Sequence, residues 1–379
     1  MRNPNVLHRA SSTTPHGDYE VKLLSAFAAG NPPDIINLLD YLFPKYVAKG
    51  LLAPVEPTAF GVRSLDELRA LYEPRALDGL TVGGKVYGVP EEFNTLALFL
   101  NQLHFANSGL DAKEFASRTR TWEELFAIAK KVERRDASGS LTRIGFNWVW
   151  NLDPYWYAQQ YWPILVQYGC EVLAPDGSRS TINSPQCVAA FTETWYRLIA
   201  EGTGGPAVAT VNPVNALQDF SDGRQAMMIA GIWAPPAFAY NKQVYDNYVV
   251  APLPQKNPRE PHTLLNAYAL TVSAKCKYPE EAWKFINFLT SQSDGYLQAT
   301  GYITGRKGWS ESLVARQIKG VKVFAEGQRY GSFVWRSPTW TEEGTAIKVA
   351  IEKFATGAAT VKEALDEAAR EIDRIRQQQ

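Results

Sequence analysis

At 379 residues the chain is too long for one ordinary hydrophobic core, and two domains is the natural expectation. Lysine plus arginine equals aspartate plus glutamate, 39 of each, so no global field favours nucleic acid or an anionic membrane. Aromatic residues make up 12% of the chain, with 11 tryptophans, a surplus that suggests rings used as binding surface, although any single tryptophan is more often core.

The opening MRNPNVLHRASS has no apolar h-region, so no signal peptide is expected in the sequence as it stands. Residues 1–18 are polar, with at most one strand around Asn5 to Arg9. Leu23, Leu24 and Phe27 share one face of a helix over Tyr19 to Ala29, stopped by Gly30. Asp34 to Leu39 reads as a short apolar strand ending at Asp40-Tyr41, and Phe43 to Lys49 as a short helix. Such close alternation points to an α/β layer structure with parallel strands. Gly83-Gly84 then marks a tight turn, and Lys85 to Pro90 a short returning strand closed by proline. Thr95 to Leu100 is an unbroken apolar run suited to a strand buried on both faces. Between these two lie Glu91, Glu92, Phe93 and Asn94. Burying such groups unpaired is costly, so this stretch is expected to open onto a ligand cleft. Glu91 and Glu92 point to opposite faces of an extended chain, which leaves one cleft carboxylate: Glu92, with Asn94 on its side.

Further on, Thr121 and Glu124 box the start of a helix whose buried stripe is Leu125, Ile128, Ala129 and Val132. Arg143 to Trp150 reads as a strand in which Trp148 and Trp150 share a face, for binding or for the core. An aromatic cluster follows at Tyr155, Trp156, Tyr157, Tyr161 and Trp162. The charge-free stretch Pro154 to Cys170 includes Gln159, Gln160, Pro163 and Gln167 and is not a membrane span. Three cysteines are too few for a disulfide scaffold; Cys170 and Cys187 meet as one disulfide or remain buried thiols. Ser184-Pro185 opens a helix with Val188, Phe191, Trp195 and Leu198 inward, stopped at Gly202, and Gly204 to Asn215 is a loop. Ala226 to Ala230 is a buried strand ending near Trp233, and Tyr248 to Ala251 and Tyr268 to Ala274 are further strands. Pro279 opens a helix with Ala282, Phe285, Ile286 and Leu289 inward. Two amphipathic helices close the chain, the first burying Ile347, Ala350, Ile351 and Phe354, the second boxed by Thr360 and Glu363 and burying Leu365, Ala368 and Ile372.

Catalytic motifs are missing from this pattern. The four histidines are scattered, which argues against a metal centre, and no GxSxG, P-loop or GxGxxG occurs. A glycoside hydrolase is the enzyme alternative, since it too combines carboxylates with aromatics. The absence of basic clusters disfavours a nucleic-acid module.

The landmarks FAAGNPPDIINLLD, AKGLLAPVE, GGKVYGVP, TWEELFAIAKKV, FSDGRQAMMIAGIW, the PLP at 252–254 and YALTVSAKCKYPEEAWKFINFLTS come in order over residues 19–310. Together they resemble the family 1 extracellular solute-binding proteins of ABC importers, relatives of maltose-binding protein. The resemblance implies a two-lobe, type II periplasmic-binding-protein fold, α/β, each lobe a mixed sheet flanked by helices. One lobe comprises residues 1–101 and 263–306 and the other 102–262 and 307–379, with crossings near Asn101, His262 and Lys307. It implies a monomer without cofactor or catalysis, outside the cytoplasm (periplasmic or lipid-anchored). Its partners are a carbohydrate, a di- or oligosaccharide, held in a hinged cleft, and the membrane permease subunits of an ABC importer. A polyol or glycerophosphate-type ligand is the alternative within the family.

Site residues are likewise implied. Trp233 matches an aromatic sugar platform. Trp335 and Trp340 match a late aromatic segment, one functional and the other packing. Asp40, with Tyr41 beside it, matches a cleft position, its ordinary alternative being a helix cap for Leu42 onward. Trp148, Trp150 and Tyr155 fall at a strand end in the second lobe, Asn266 and Tyr268 at the returning strand, and Tyr302 in the last crossover loop. The family's opening strand and helix have no counterpart before Leu7. Either the start is internal to a longer reading frame, which we favour, or part of a lobe has been lost and its neighbours' hydrogen bonds with it.

Overall fold

A computed structural model describes residues 16–150, 153–201 and 216–378. The expected strand around Asn5, the Gly202 stop and the Gly204–Asn215 loop lie outside the described residues. In chain order the elements that frame the site are α1 (His16–Ala28), β1 (Ile35–Leu39), β2 (Val89–Asn101), α2 (Trp122–Val132), β3 (Leu141–Phe146), α3 (Pro154–Gln167), α4 (Pro185–Phe191), β4 (Gln225–Gly231), β5 (Tyr248–Ala251), β6 (Thr263–Ser273), α5 (Pro279–Ser291), α6 (Trp340–Ala355) and α7 (Val361–Arg376).

Strand β2 is the spine of the sheet. Its first part, Val89 to Thr95, pairs antiparallel with β6, and its second part, Leu96 to Asn101, pairs with β4 and β5. The expected interruption by Glu91, Glu92 and Asn94 does not occur, because β2 stays paired with β6 from Glu92 to Thr95 while the N–H of Phe93, facing away from β6, donates to the carbonyl of Ile303. Pro90 is accommodated next to a bulge, where one residue, Glu91, is extra between Pro90 opposite Ala269 and Glu92 opposite Tyr268. Ahead of it, Gly83 and Gly84 turn the hairpin with φ of 56° and 76°, the left-handed region that glycine enters without strain.

The sheet order is β1-β6-β2-β4-β3. Its ladders β1–β6, β6–β2, β2–β4 and β2–β5 are antiparallel and β3–β4 is parallel, so the expected parallel layer is a mixed sheet. The reason is chain return. Strand β6 comes back late, inserts between β1 and β2 and runs against both. It also starts at Thr263, five residues before the expected Tyr268, and so reaches the point where β2 changes partners.

Two apolar clusters hold the sheet. The larger one contains Phe43, Phe93, Trp122, Trp148, Trp195, Trp283 and Ile347, and the smaller one groups Phe99 of β2 with Phe220, Phe238, Tyr248 and Phe324. Each fully buried large side chain contributes about 1.5–3 kcal/mol, so β2 is anchored from both faces. Capping boxes close on Thr121–Glu124 and Thr360–Glu363 as expected.

Three local expectations are corrected. Beyond Phe146 the strand stops: Trp148 N bonds to the side chain of Asn147 and Val149 N to that of Gln160, so side chains take the place of a ladder. On α5 the buried stripe is Ala282, Trp283, Ile286 and Thr290, whereas Phe285 is 49% exposed; the indole of Trp283 turns the helix by one residue. After α4 the helix widens into a π-turn over Thr192–Tyr196, which delivers Thr194 and Trp195 to the core. Cys170 and Cys187 are joined as a disulfide that ties the loop after α3 to α4, and Cys276 is free.

Candidate functional site

Where β2 passes from β6 to β4, polar residues replace the apolar ones on one face. Register places Glu92 opposite Tyr268 and Asn94 opposite Asn266, so the two-residue period of paired strands puts all four on one side. The bulge at Glu91 leaves it outside this set, near Asn37 and Tyr296. Glu92 and Asn94 are buried, and Asn94 Nδ2 donates to Glu92 Oε1. Burial, reinforced by Glu91, pushes the Glu92 carboxyl up to about 8, against the pull of Asn94. Oδ1 of Asn94 and Oδ1 of Asn266 are both buried without a partner. Such atoms are costly in a packed interior and suit a ligand that brings hydroxyl donors.

Trp233 stands over the end of β4. A methyl group built on Gly231 would lie 2.4 Å from Trp233 Nε1 and 3.4 Å from Asn94 Cγ, so only glycine lets the indole settle beside Asn94. Edge-on to Trp233, at 5.6 Å between ring centres, is Trp156 from the first turn of α3. Trp156 was visible in the sequence only as one member of an aromatic run, and the N-cap at Asp153, which fixes its helical phase, is the signal that singles it out. Tyr302 comes close to Glu92 because its neighbour Ile303 accepts the backbone N–H of Phe93.

A second group is built on Asp40, at the end of β1. Asp40 is not a helix cap. Its Oδ1 accepts from Ala267 N at 3.1 Å and from Tyr155 Oη at 3.2 Å, and its carbonyl accepts from Arg336 Nη1 at 2.8 Å. Burial raises its carboxyl to about 6, while Arg336, Ala267 and Tyr155 act in the other direction. Asp40 Oδ2 and Arg336 Nη2 are buried without a hydrogen-bond partner, although Arg336 Nη1 faces Asp40 Oδ2 as an ion pair at 4.0 Å. Tyr41 stacks on Tyr155 at 4.6 Å and lies 4.3 Å from Trp340, which in turn lies 5.2 Å from Trp335. Tyr268 links the two groups: burial raises its hydroxyl first, and the charges of Glu92, Asp153 and Asp40 add to the effect.

The structure therefore gathers Glu92, Asn94, Asn266, Tyr268, Tyr302 and Trp233, and beside them Asp40, Tyr41, Tyr155, Trp335 and Trp340. Trp148 and Trp150 stand apart in the core. Trp148 is fully buried and stacks on Trp195 at 4.7 Å, and Trp150 meets the same indole edge-on at 5.1 Å. With the strand ended at Phe146, the alternation that would have turned both rings to a cleft is lost. Trp156 joins the candidate site without having been selected from the sequence, and Arg336, which the sequence offered with Arg306 only as a contact for a phosphate ligand, lies beside Asp40. Flat rings beside fixed, planar hydrogen-bonding groups can hold a ligand with both C–H faces and hydroxyls. Among the described residues no group of histidine, cysteine and carboxylate side chains is arranged to hold a metal ion, and no helix is long and apolar enough to cross a membrane.

Comparison with known proteins agrees with this architecture. The galactooligosaccharide-binding protein of Bacillus subtilis (strain 168) is 25% identical over 353 residues, covering 90% of this chain and 76% of its own. The lactose-binding protein of Rhizobium radiobacter is 22% identical over 352 residues, covering 88% and 75%. Among solved structures, an ABC substrate-binding protein from Listeria monocytogenes in complex with cycloalternan superposes with a TM-score of 0.80 at 21% identity, over 97% of this chain and 90% of that one. The fold is that of the type II periplasmic binding proteins. The family model described as bacterial extracellular solute-binding protein matches residues 11–295, and the chain belongs to that family.

Proposed function

We propose that this protein is the substrate-binding component of an ABC importer that holds a carbohydrate of two or more sugar units and hands it to a membrane permease outside the cytoplasm. In this reading it is a monomer and performs no catalysis. Residues 1–101 and 263–306 form one lobe, and 102–262 and 307–379 the other, with β2 and β6 running through the junction. The ligand lies against Glu92, Asn94, Asn266 and Trp233, and the lobes close over it by a hinge motion. One observation carries the reading: the Oδ1 atoms of Asn94 and Asn266, without hydrogen-bond partners, lie on the face shared with Glu92, and the indole of Trp233 settles beside Asn94. The sugar-binding names of the relatives point the same way.

A second reading, a ligand carrying a phosphate, is favoured by Nη2 of Arg336, which is buried without a hydrogen-bond partner while Nη1 of the same guanidinium is held by Asp40. Tryptophan fluorescence titrated with maltotriose, lactose, galactobiose and glycerophosphocholine tests both, with product analysis on the same samples. A saturable change with an intact oligosaccharide supports the first reading. Response to glycerophosphocholine alone supports the second. Cleaved sugar would overturn both in favour of a glycoside hydrolase.

A further inference from the structure

Below the aromatic rings of the site lies a buried carboxylate that nothing above uses. Glu343, in the first turn of α6, is fully buried and collects donors from one short loop. Trp335 Nε1 donates to its Oε2 at 2.6 Å, and Ser337 Oγ and Thr339 Oγ1 donate to its Oε1 at 2.7 and 2.9 Å. Trp335, Ser337 and, from the turn that opens α6, Thr339 thus converge on Glu343, while Arg336 reaches the other way, to the carbonyl of Asp40. The charge of Glu343 is matched from the far end of the chain. Arg376 Nη1 reaches Glu343 Oε1 at 3.0 Å and Ser337 Oγ at 3.3 Å, and the same guanidinium grips the carbonyl of Gly177 at 2.8 and 3.1 Å. A buried carboxylate with three donors from its loop and a fourth from a matching cation holds its partners in a single arrangement, since any shift leaves a buried group unpaired.

We propose that Glu343, locked by Arg376, is a positioning residue for ligand binding: it fixes the Trp335–Thr339 loop so that Trp335, Arg336 and Trp340 face the site in the productive arrangement. The last turn of α7 thereby acts on affinity without touching the ligand. The inference rests on the binding reading given above.

The test compares Glu343→Gln, Arg376→Leu and the conservative Arg376→Lys in the full chain, at a temperature where far-UV circular dichroism shows all of them folded. Two readouts are taken: the dissociation constant for maltotriose, lactose and galactobiose, and the near-UV circular dichroism contributed by Trp335, defined by the wild-type minus Trp335→Phe difference. Glu343→Gln and Arg376→Leu are expected to weaken binding about tenfold, the fold-change of one buried donor left unpaired, and to lose the Trp335 signal. Arg376→Lys is expected to recover most of both. Unchanged affinity and an unchanged Trp335 signal in Glu343→Gln would overturn the proposal even if its melting temperature fell, because a purely structural role moves the melting temperature alone. If the wild type binds no sugar in the panel, the carbohydrate reading fails separately. The positioning role then stands or falls on the Trp335 signal.

Discussion

The hydroxyl of Tyr155 donates to Oδ1 of Asp40 across 3.2 Å, joining a helix start to a strand end 115 residues earlier in the chain. The same oxygen accepts from Ala267 N in the middle of β6, so one buried carboxylate gathers three distant segments. Tyr155→Phe keeps the ring against Tyr41 and removes only the hydroxyl. It is expected to lower stability by about 1.5–3 kcal/mol, the cost of a hydrogen bond to a charged acceptor, as read from urea unfolding. An unchanged midpoint would mean that water replaces the hydroxyl at Asp40.

The tryptophans divide by environment. Trp148→Ala empties a site stacked on Trp195 and is expected to cost about 3–5 kcal/mol of stability. Trp233→Ala, at a half-buried ring, is expected to cost under about 1 kcal/mol while abolishing the ligand-induced fluorescence change. Measuring both quantities on both variants separates core from site, and the reverse pattern would exchange their roles.

Stability should fall as pH rises across the mildly acid to neutral range. Burial holds the Asp40 carboxyl at about 6 and the Glu92 carboxyl at about 8, above their ordinary values of 3.8 and 4.5. The native state therefore binds these protons more tightly than the unfolded chain does. The stability they contribute is fully present below the unfolded values and is lost as pH passes the native ones. In urea unfolding, the wild-type minus Glu92→Gln difference should decline from about pH 4.5 to about 8, and the wild-type minus Asp40→Asn difference should level off near 6. Flat differences would show both carboxylates ionised throughout.

The Cys170–Cys187 bridge closes a loop with a sequence separation of 17. Replacing both cysteines by alanine is expected to cost about 3 kcal/mol, chiefly through the unfolded chain, with ligand affinity kept because neither residue borders the site. Reducing agent should reproduce the loss in the wild type and leave the double variant unaffected.

What the sequence determined by itself was local. Glycines at a turn, a capping box at Thr121, the phase of Ile347, Ala350 and Ile351 and the polar residues Glu91, Glu92 and Asn94 after Pro90 are set by neighbours a few residues apart, and the structure keeps them. The ordered landmarks also carried the family, which depends on many weak local matches and on no single one. Tertiary structure decided which polar and aromatic residues meet. Asn94 faces Asn266 only because β6 returns between β1 and β2, and Trp233 reaches Asn94 only because Gly231 has no side chain. Trp148 and Trp150 had the composition of a binding surface, but Asn147 and Gln160 drew off the backbone that a strand would have used, and the rings turned inward. Arg336 stood in the sequence only as a contact for a phosphate ligand: its place comes from Asp40, 296 residues earlier, and from the buried Glu343 that holds its loop in place.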